Sequence, residues 1–251
     1  MAGGRYQRLD AQEIIRTIER LARRIEERFP EAGLAKVARE LHGVAEGAHA
    51  RTLELKHPNL LLRVGVGLLI LSALLVLFVF IPEMRLNFQI RAISDLIQTV
   101  EALLGSLFFL GTGVAFLVTL EGRIKRRTAL GVVHQLRALA HIVDMHQLTK
   151  DPEQLTSAGP TPSSPVRSMS DFELLRYLDY CSEMFALVSK VGALTVQGFA
   201  DPVVLGAVDE VENLTTGLSR KIWQKIMIVQ QLVNAPPRPR ARDYGWRRGR
   251  A

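Results

Sequence analysis

VGVGLLILSALLVLFVFI at 64–81 and ALLGSLFFLGTGVAFLVTL at 102–120 decide the fold. Neither stretch holds a charged residue. At 1.5 Å rise per residue, each approaches as a helix the ~30 Å hydrocarbon thickness of a bilayer. Backbone polar groups in hydrocarbon must be satisfied within the chain, which a helix does by itself. The expectation is a two-helix transmembrane hairpin over 59–122, with spans at about 60–82 and 96–121. Pro58 and Asn59 open the first span and Pro82 closes it. Residues 83–101 connect the two, and Ser94 with Asp95 reads as the N-cap of the second.

Before the hairpin, residues 1–58 read as a helical hairpin. Ile14, Ile18, Leu21 and Ile25 recur at heptad-like spacing within Leu9 to Phe29. Asp10 caps this helix and Pro30 ends it. The next helix, from Glu31 to about Lys56, carries a narrower stripe of Leu34, Val37, Leu41, Ala45 and Ala48.

After the hairpin, no breaker stronger than single glycines interrupts 121–149, so the second span extends as one helix through 123–150. Residues 151–170 hold Pro152, Pro160, Pro162 and Pro165 among Ser, Thr and Gly, and read as a linker. Residues 171–234 form a C-terminal helical hairpin. Ser170 and Glu173 make a capping-box pattern, and Asp201-Pro202 starts the last helix. Residues 235–251 are a basic tail, expected to be disordered. No period-two strand pattern occurs, so the fold class is all-α, a transmembrane hairpin with a cytoplasmic helical bundle.

Lys and Arg set the orientation. Arg51, Lys56 and Arg63 flank the first span, and Arg123, Lys125, Arg126, Arg127 and Arg137 follow the second; the connection has Arg85 and Arg91. Both termini are therefore expected in the cytoplasm, at a bacterial inner membrane. The start of the chain has no apolar stretch after its basic residues, so no cleavable signal is expected. One cysteine, Cys181, excludes an intramolecular disulfide and reads as a packing residue.

Candidate chemistry is sparse. His42, Glu46 and His49 share a helix face, and Glu46-x-x-His49 is half of a di-iron pattern whose second half is missing. His134, His141 and Asp144, with His146 nearby, form a denser stripe; one helix face rarely closes a metal shell, so a polar bundle seam is the preferred reading. No Gly-x-Ser-x-Gly, Walker or dinucleotide-binding motif occurs. No catalytic residue, metal or cofactor is assigned.

The membrane helices offer small residues at heptad intervals, Gly65 and Ser72 on the first and Gly105, Thr112 and Thr119 on the second, with Ala115 between the last two. Such residues let helices approach closely. They fit the hairpin's own seam, or a homo-oligomer with Thr112 and Thr119 facing a narrow pore. Near the end of the chain, Arg220, Lys221 and Lys225 flank Trp223, and Arg238, Arg240, Arg242, Arg247, Arg248 and Arg250 follow. With a net charge of +7 on the chain, the tail is expected to lie against the anionic cytoplasmic leaflet, with an acidic protein partner as the rival reading. Counterion release would also draw such a tail to RNA, but nucleic acid is not the expected partner.

LRALAHIVDMHQLTKDP at 136–152, FELLRYLDYCSEM at 172–184 and ENLTTGLSRKIWQKIMI at 212–228 resemble uncharacterised bacterial two-span membrane proteins with a cytoplasmic helical region. The resemblance covers most of 60–234 and carries no activity with it. The layout also looks like that of two-span effectors of bacterial defence systems, without a shared motif. The expected function is a non-enzymatic inner-membrane scaffold or interaction protein that self-associates or binds a membrane or cytoplasmic partner. The alternative is an oligomeric pore or channel-like effector. A metal-dependent membrane enzyme built on the histidine stripe comes third.

Overall fold

Six helices make up the computed structural model, which describes residues 8–56, 60–86, 93–150, 169–197 and 199–234. They are α1 (Ala11–Arg28), α2 (Gly33–Lys56), α3 (Leu60–Leu86), α4 (Ile93–Leu148), α5 (Asp171–Val196) and α6 (Pro202–Asn234). No strand occurs among the described residues, and the chain is all-α.

The amphipathic stripes become the core. Ile14, Ile18, Leu21 and Ile25 of α1 are buried, as are Leu34, Val37, Leu41, Ala45 and Ala48 of α2. Asp10 caps α1 as expected, accepting from the Gln12 and Glu13 amides at 2.9 and 3.3 Å. Ser170 and Glu173 close the capping box at the start of α5. The Ser170 amide donates to the Glu173 carboxylate, which holds that carboxyl below its ordinary range. Asp201 accepts from the Val203 and Val204 amides, and Pro202 takes the first helical position, where its missing N–H costs nothing.

α5 is the hub. It packs against α1, α2, α4 and α6, whereas α1 meets neither α4 nor α6. Its buried positions include Leu178, Cys181, Met184, Phe185, Val188 and Val191, and these share one core with α1, α2, the second half of α4, and α6. Between α1 and α2, Phe29 sets its ring edge-on against Tyr177 and Tyr180 of α5, at centroid distances of 5.6 and 6.3 Å. Burial raises the pKa of both the Tyr177 hydroxyl and the Cys181 thiol.

The first half of α4 has different company. α3 packs against α4 and against no other element among the described residues. The two form an apolar arm whose outward side chains lie open, among them Leu68, Leu71, Phe78, Leu107, Phe109 and Phe116. One helix, α4, is long and apolar enough to cross a membrane, within Val100–Leu148; α3 contributes a shorter apolar stretch, Leu62–Leu75.

Several boundaries differ from expectation. Pro82 does not close its helix: α3 continues to Leu86. It sits one turn from the helix end, where losing one i→i−4 bond disturbs least. α4 begins at Ile93, so Ser94 and Asp95 lie inside it rather than capping it. The inter-helix connection therefore shrinks from 83–101 to 87–92, which lie outside the described residues. So do Pro58, Asn59, the linker at 151–168 and the tail at 235–251. Past Leu120, α4 continues unbroken to Leu148.

Candidate functional site

Two surfaces can carry function: the arm and the ends of the bundle. On the arm, Val66 and Leu69 of α3 and Leu110, Gly113, Val114 and Leu117 of α4 are half-buried. Gly113 lies beside Leu69 of α3. A Cβ there would stand 3.5 Å from Leu69 Cδ1, in ordinary contact.

The expected small-residue stripe is offset from this seam. Gly65 and Gly105 are half-buried, with open space where a Cβ would be. Ser72, Thr112, Ala115 and Thr119 are exposed. Ser72 donates to the Leu69 carbonyl at 2.9 Å, and Thr119 to those of Ala115 and Phe116. Their hydroxyls are satisfied within their own helices. Most of the stripe thus faces outward, and the hairpin's seam runs one position away from it, through Gly113.

A ladder of polar contacts fixes how α6 lies on α4. Arg126 donates to Asp201 at 2.8 and 3.0 Å, Arg137 to Glu210 at 3.1 Å, and Lys225 to the Gln147 side chain at 2.8 Å. The sequence offsets are 75, 73 and 78, so the helices run parallel and nearly in register. Arg126 stands close to the arm, and Gln147 is about 32 Å further along α4 at 1.5 Å per residue. α5 returns antiparallel, and Gln197 at its end exchanges two hydrogen bonds with the Leu9 backbone, at 3.0 and 3.2 Å. The base of the bundle, where the arm emerges, therefore contains Leu9, Gln197, Asp201 and Arg126.

Asp201 is the anchor of the base. Burial works to raise its pKa, but the Arg126 guanidinium and two backbone amides outweigh that and hold the carboxyl below the ordinary range. No sequence pattern links Arg126 to Asp201 across 75 residues; only Asp201-Pro202 as the start of the last helix was legible. The Arg137–Glu210 pair is half open to solvent and contributes little.

At the far end, Arg220 and Lys221 are exposed, and Trp223 is 63% exposed. Lys225 is engaged in the bundle: its ammonium donates to both the backbone and the side-chain oxygen of Gln147. The buried Gln147 also donates to Asp144 at 2.7 Å, so its side-chain amide is bonded at both its nitrogen and its oxygen. The six tail arginines lie outside the described residues.

The histidine faces do not converge. His134 and His141 are exposed, Asp144 is engaged by Gln147, and the His146 ring lies against Gly33 of α2. His42 stands 3.7 Å from Glu46. Among the described residues, no group of three or more His, Cys, Asp or Glu is placed to hold a metal ion.

No family model, curated protein or solved structure matches the chain.

Proposed function

We propose that this chain is a non-enzymatic scaffold or interaction protein of the bacterial inner membrane, with α3 and the first half of α4 spanning the bilayer and the bundle in the cytoplasm. The observation that carries this reading is the composition of the core. α1 and α2 precede the arm in sequence; the second half of α4, α5 and α6 follow it; yet all five share one core. An arm that enters a membrane from such a bundle must return to the same side. The apolar part of α4 needs a second crossing beside it, and α3 is the helix packed there. The uncovered Leu and Phe side chains of the arm have the polarity of a lipid-facing surface. The excess of Lys and Arg on the bundle side supports a cytoplasmic location for both termini. The resemblance to two-span bacterial proteins points the same way.

Self-association is assigned to the outward small-residue stripe of Ser72, Thr112, Ala115 and Thr119. An oligomeric pore remains the second reading, favoured by the exposure of Thr112 on the arm. The inward-bonded Thr119 hydroxyl favours packing over pore lining. The basic far end is assigned to an acidic cytoplasmic partner. With an upright bundle, Asn234 stands about 50 Å along α6 from Pro202. Residues 235–251, fully stretched, reach about 58 Å, so only the last of them could return to the level of the base.

Alkaline carbonate extraction of bacterial membranes tests the anchoring. The chain should stay in the pellet. Release into the supernatant would overturn the membrane reading.

A further inference from the structure

We infer that the base of the bundle is itself a membrane-contact surface, docking on anionic lipid beside the point where the arm enters. This rests on the membrane reading above and adds a second lipid-facing site, outside the spans.

The observation is a collar of open apolar side chains at the end of the bundle from which the arm emerges. Leu9 is 40% exposed, Ile124 45%, Val203 50% and Leu205 44%. They come from three separate parts of the chain, and the contacts already described gather them. Leu9 is tied to Gln197 by its backbone. Val203 belongs to the turn that Asp201 caps. Asp201 is held by Arg126, two residues after Ile124. Open apolar side chains occur at the far end as well, Met145, Leu148 and Trp223 among them. What sets the collar apart is that it is continuous with the arm.

Charge selects the occupant. Of the carboxylates at this end, Asp201 is neutralised by Arg126, Glu121 pairs with Lys125 at 2.9 Å, and Asp10 is engaged by two amides at the α1 N-terminus. Arg123 and Arg127 are exposed, and neither forms an ion pair among the described residues. Open Leu, Ile and Val side chains with uncompensated arginines suit the headgroup–acyl boundary of an anionic bilayer, where apolar groups settle about 5–10 Å deep. Ionic attraction adds to that burial and is weakened by salt. A protein partner would need no such continuity with the arm.

The test uses the full chain in vesicles, with an environment-sensitive fluorophore on single cysteines introduced by Leu9→Cys, Val203→Cys, Phe109→Cys or Met145→Cys. Cys181 is fully buried, so the native chain should take no label; a Cys181→Ala background repeats the series. With phosphatidylcholine–phosphatidylglycerol vesicles, a shallow lipid-borne quencher should dim the labels at 9 and 203. A deep quencher should dim the label at 109, and neither should dim that at 145, about 32 Å beyond Ile124 along α4. Replacing Arg123 or Arg127 by Gln should lower the ratio of docked to undocked bundle by about fivefold each. Quenching at 109 but not at 9 or 203 refutes this inference and leaves the spans standing. Absence of quenching at 109 refutes both. Equal quenching at 9, 203 and 145 means the bundle lies flat and overturns the assignment to its base.

Discussion

Leu136 and Leu107 lie on the same helix and differ only in what surrounds them, which makes a controlled experiment of one substitution. Leu136 is fully buried in the bundle and Leu107 is 67% exposed on the arm. Leu136 Cδ1 lies 3.9 Å from where a Cβ on Gly192 would stand, so its side chain fills the space that glycine leaves open on α5. Leu136→Ala removes buried methyl groups and leaves a cavity between two helices; buried Leu→Ala changes cost about 2–5 kcal/mol. The missing side chain opposite suggests poor collapse and the upper half of that range, about 3–5 kcal/mol. At about 2–4 °C per kcal/mol for a unit of this size, the midpoint should fall by about 6–20 °C. Leu107→Ala exchanges one apolar contact for lipid or detergent, and should move the bundle by under about 1 kcal/mol. Circular dichroism would mix in the arm, so the assay is the reaction of buried Cys181 with a thiol dye during heating. Cys181 sits about 16 Å along α5 from Gly192, far enough that the cavity does not expose it directly. Equal shifts for the two variants, or a shift below about 2 °C for Leu136→Ala, would refute the division of α4 into core and arm.

Asp201 has a lowered pKa in the fold, so its contribution is present above the unfolded value of 3.8 and is lost as pH falls through the lower, folded one. Asp201→Asn should flatten the fall in stability between about pH 5 and pH 2, read by the same thiol-reactivity melt; an unchanged acid limb contradicts it. Thr112→Leu, on the outward stripe, should forfeit about 1–2 kcal/mol of helix association and shorten the cross-linked ladder in native membranes. Gly113→Leu should instead disturb the hairpin, because Leu69 already occupies that contact. If the chain forms a pore, wild type should pass ions in liposomes and Thr112→Leu should reduce the current; an unchanged current removes Thr112 from any pore wall.

The bundle helices were legible because each carries a full period of its own core stripe. Ile14, Ile18, Leu21 and Ile25 needed only 3.6-residue spacing, and the caps at Asp10 and Ser170 are local hydrogen-bond chemistry. What the pattern left hidden is pairing at a distance. The offset of 75 between α4 and α6 has no local signature, so the far-end position of Trp223 and the engagement of Lys225 were unreadable. Lys225 reads as a surface cation by composition, yet Gln147 captures it. On the arm, Gly113 rather than Thr112 meets Leu69, because the glycine-rich stretch offers small residues on adjacent faces and only the partner helix selects between them. Pro82 was read as a stop, but a proline near a helix end need not end it.

Sidedness tests the central claim most directly. Single cysteines from Asn87→Cys and Ser163→Cys, in a Cys181→Ser background, report the connection of the arm and the linker of the bundle. In intact cells an impermeant thiol reagent should label position 87, and should reach position 163 only after the membrane is opened. Labelling of position 163 in intact cells, or protection of both positions until lysis, would contradict an arm that crosses and returns from a cytoplasmic bundle.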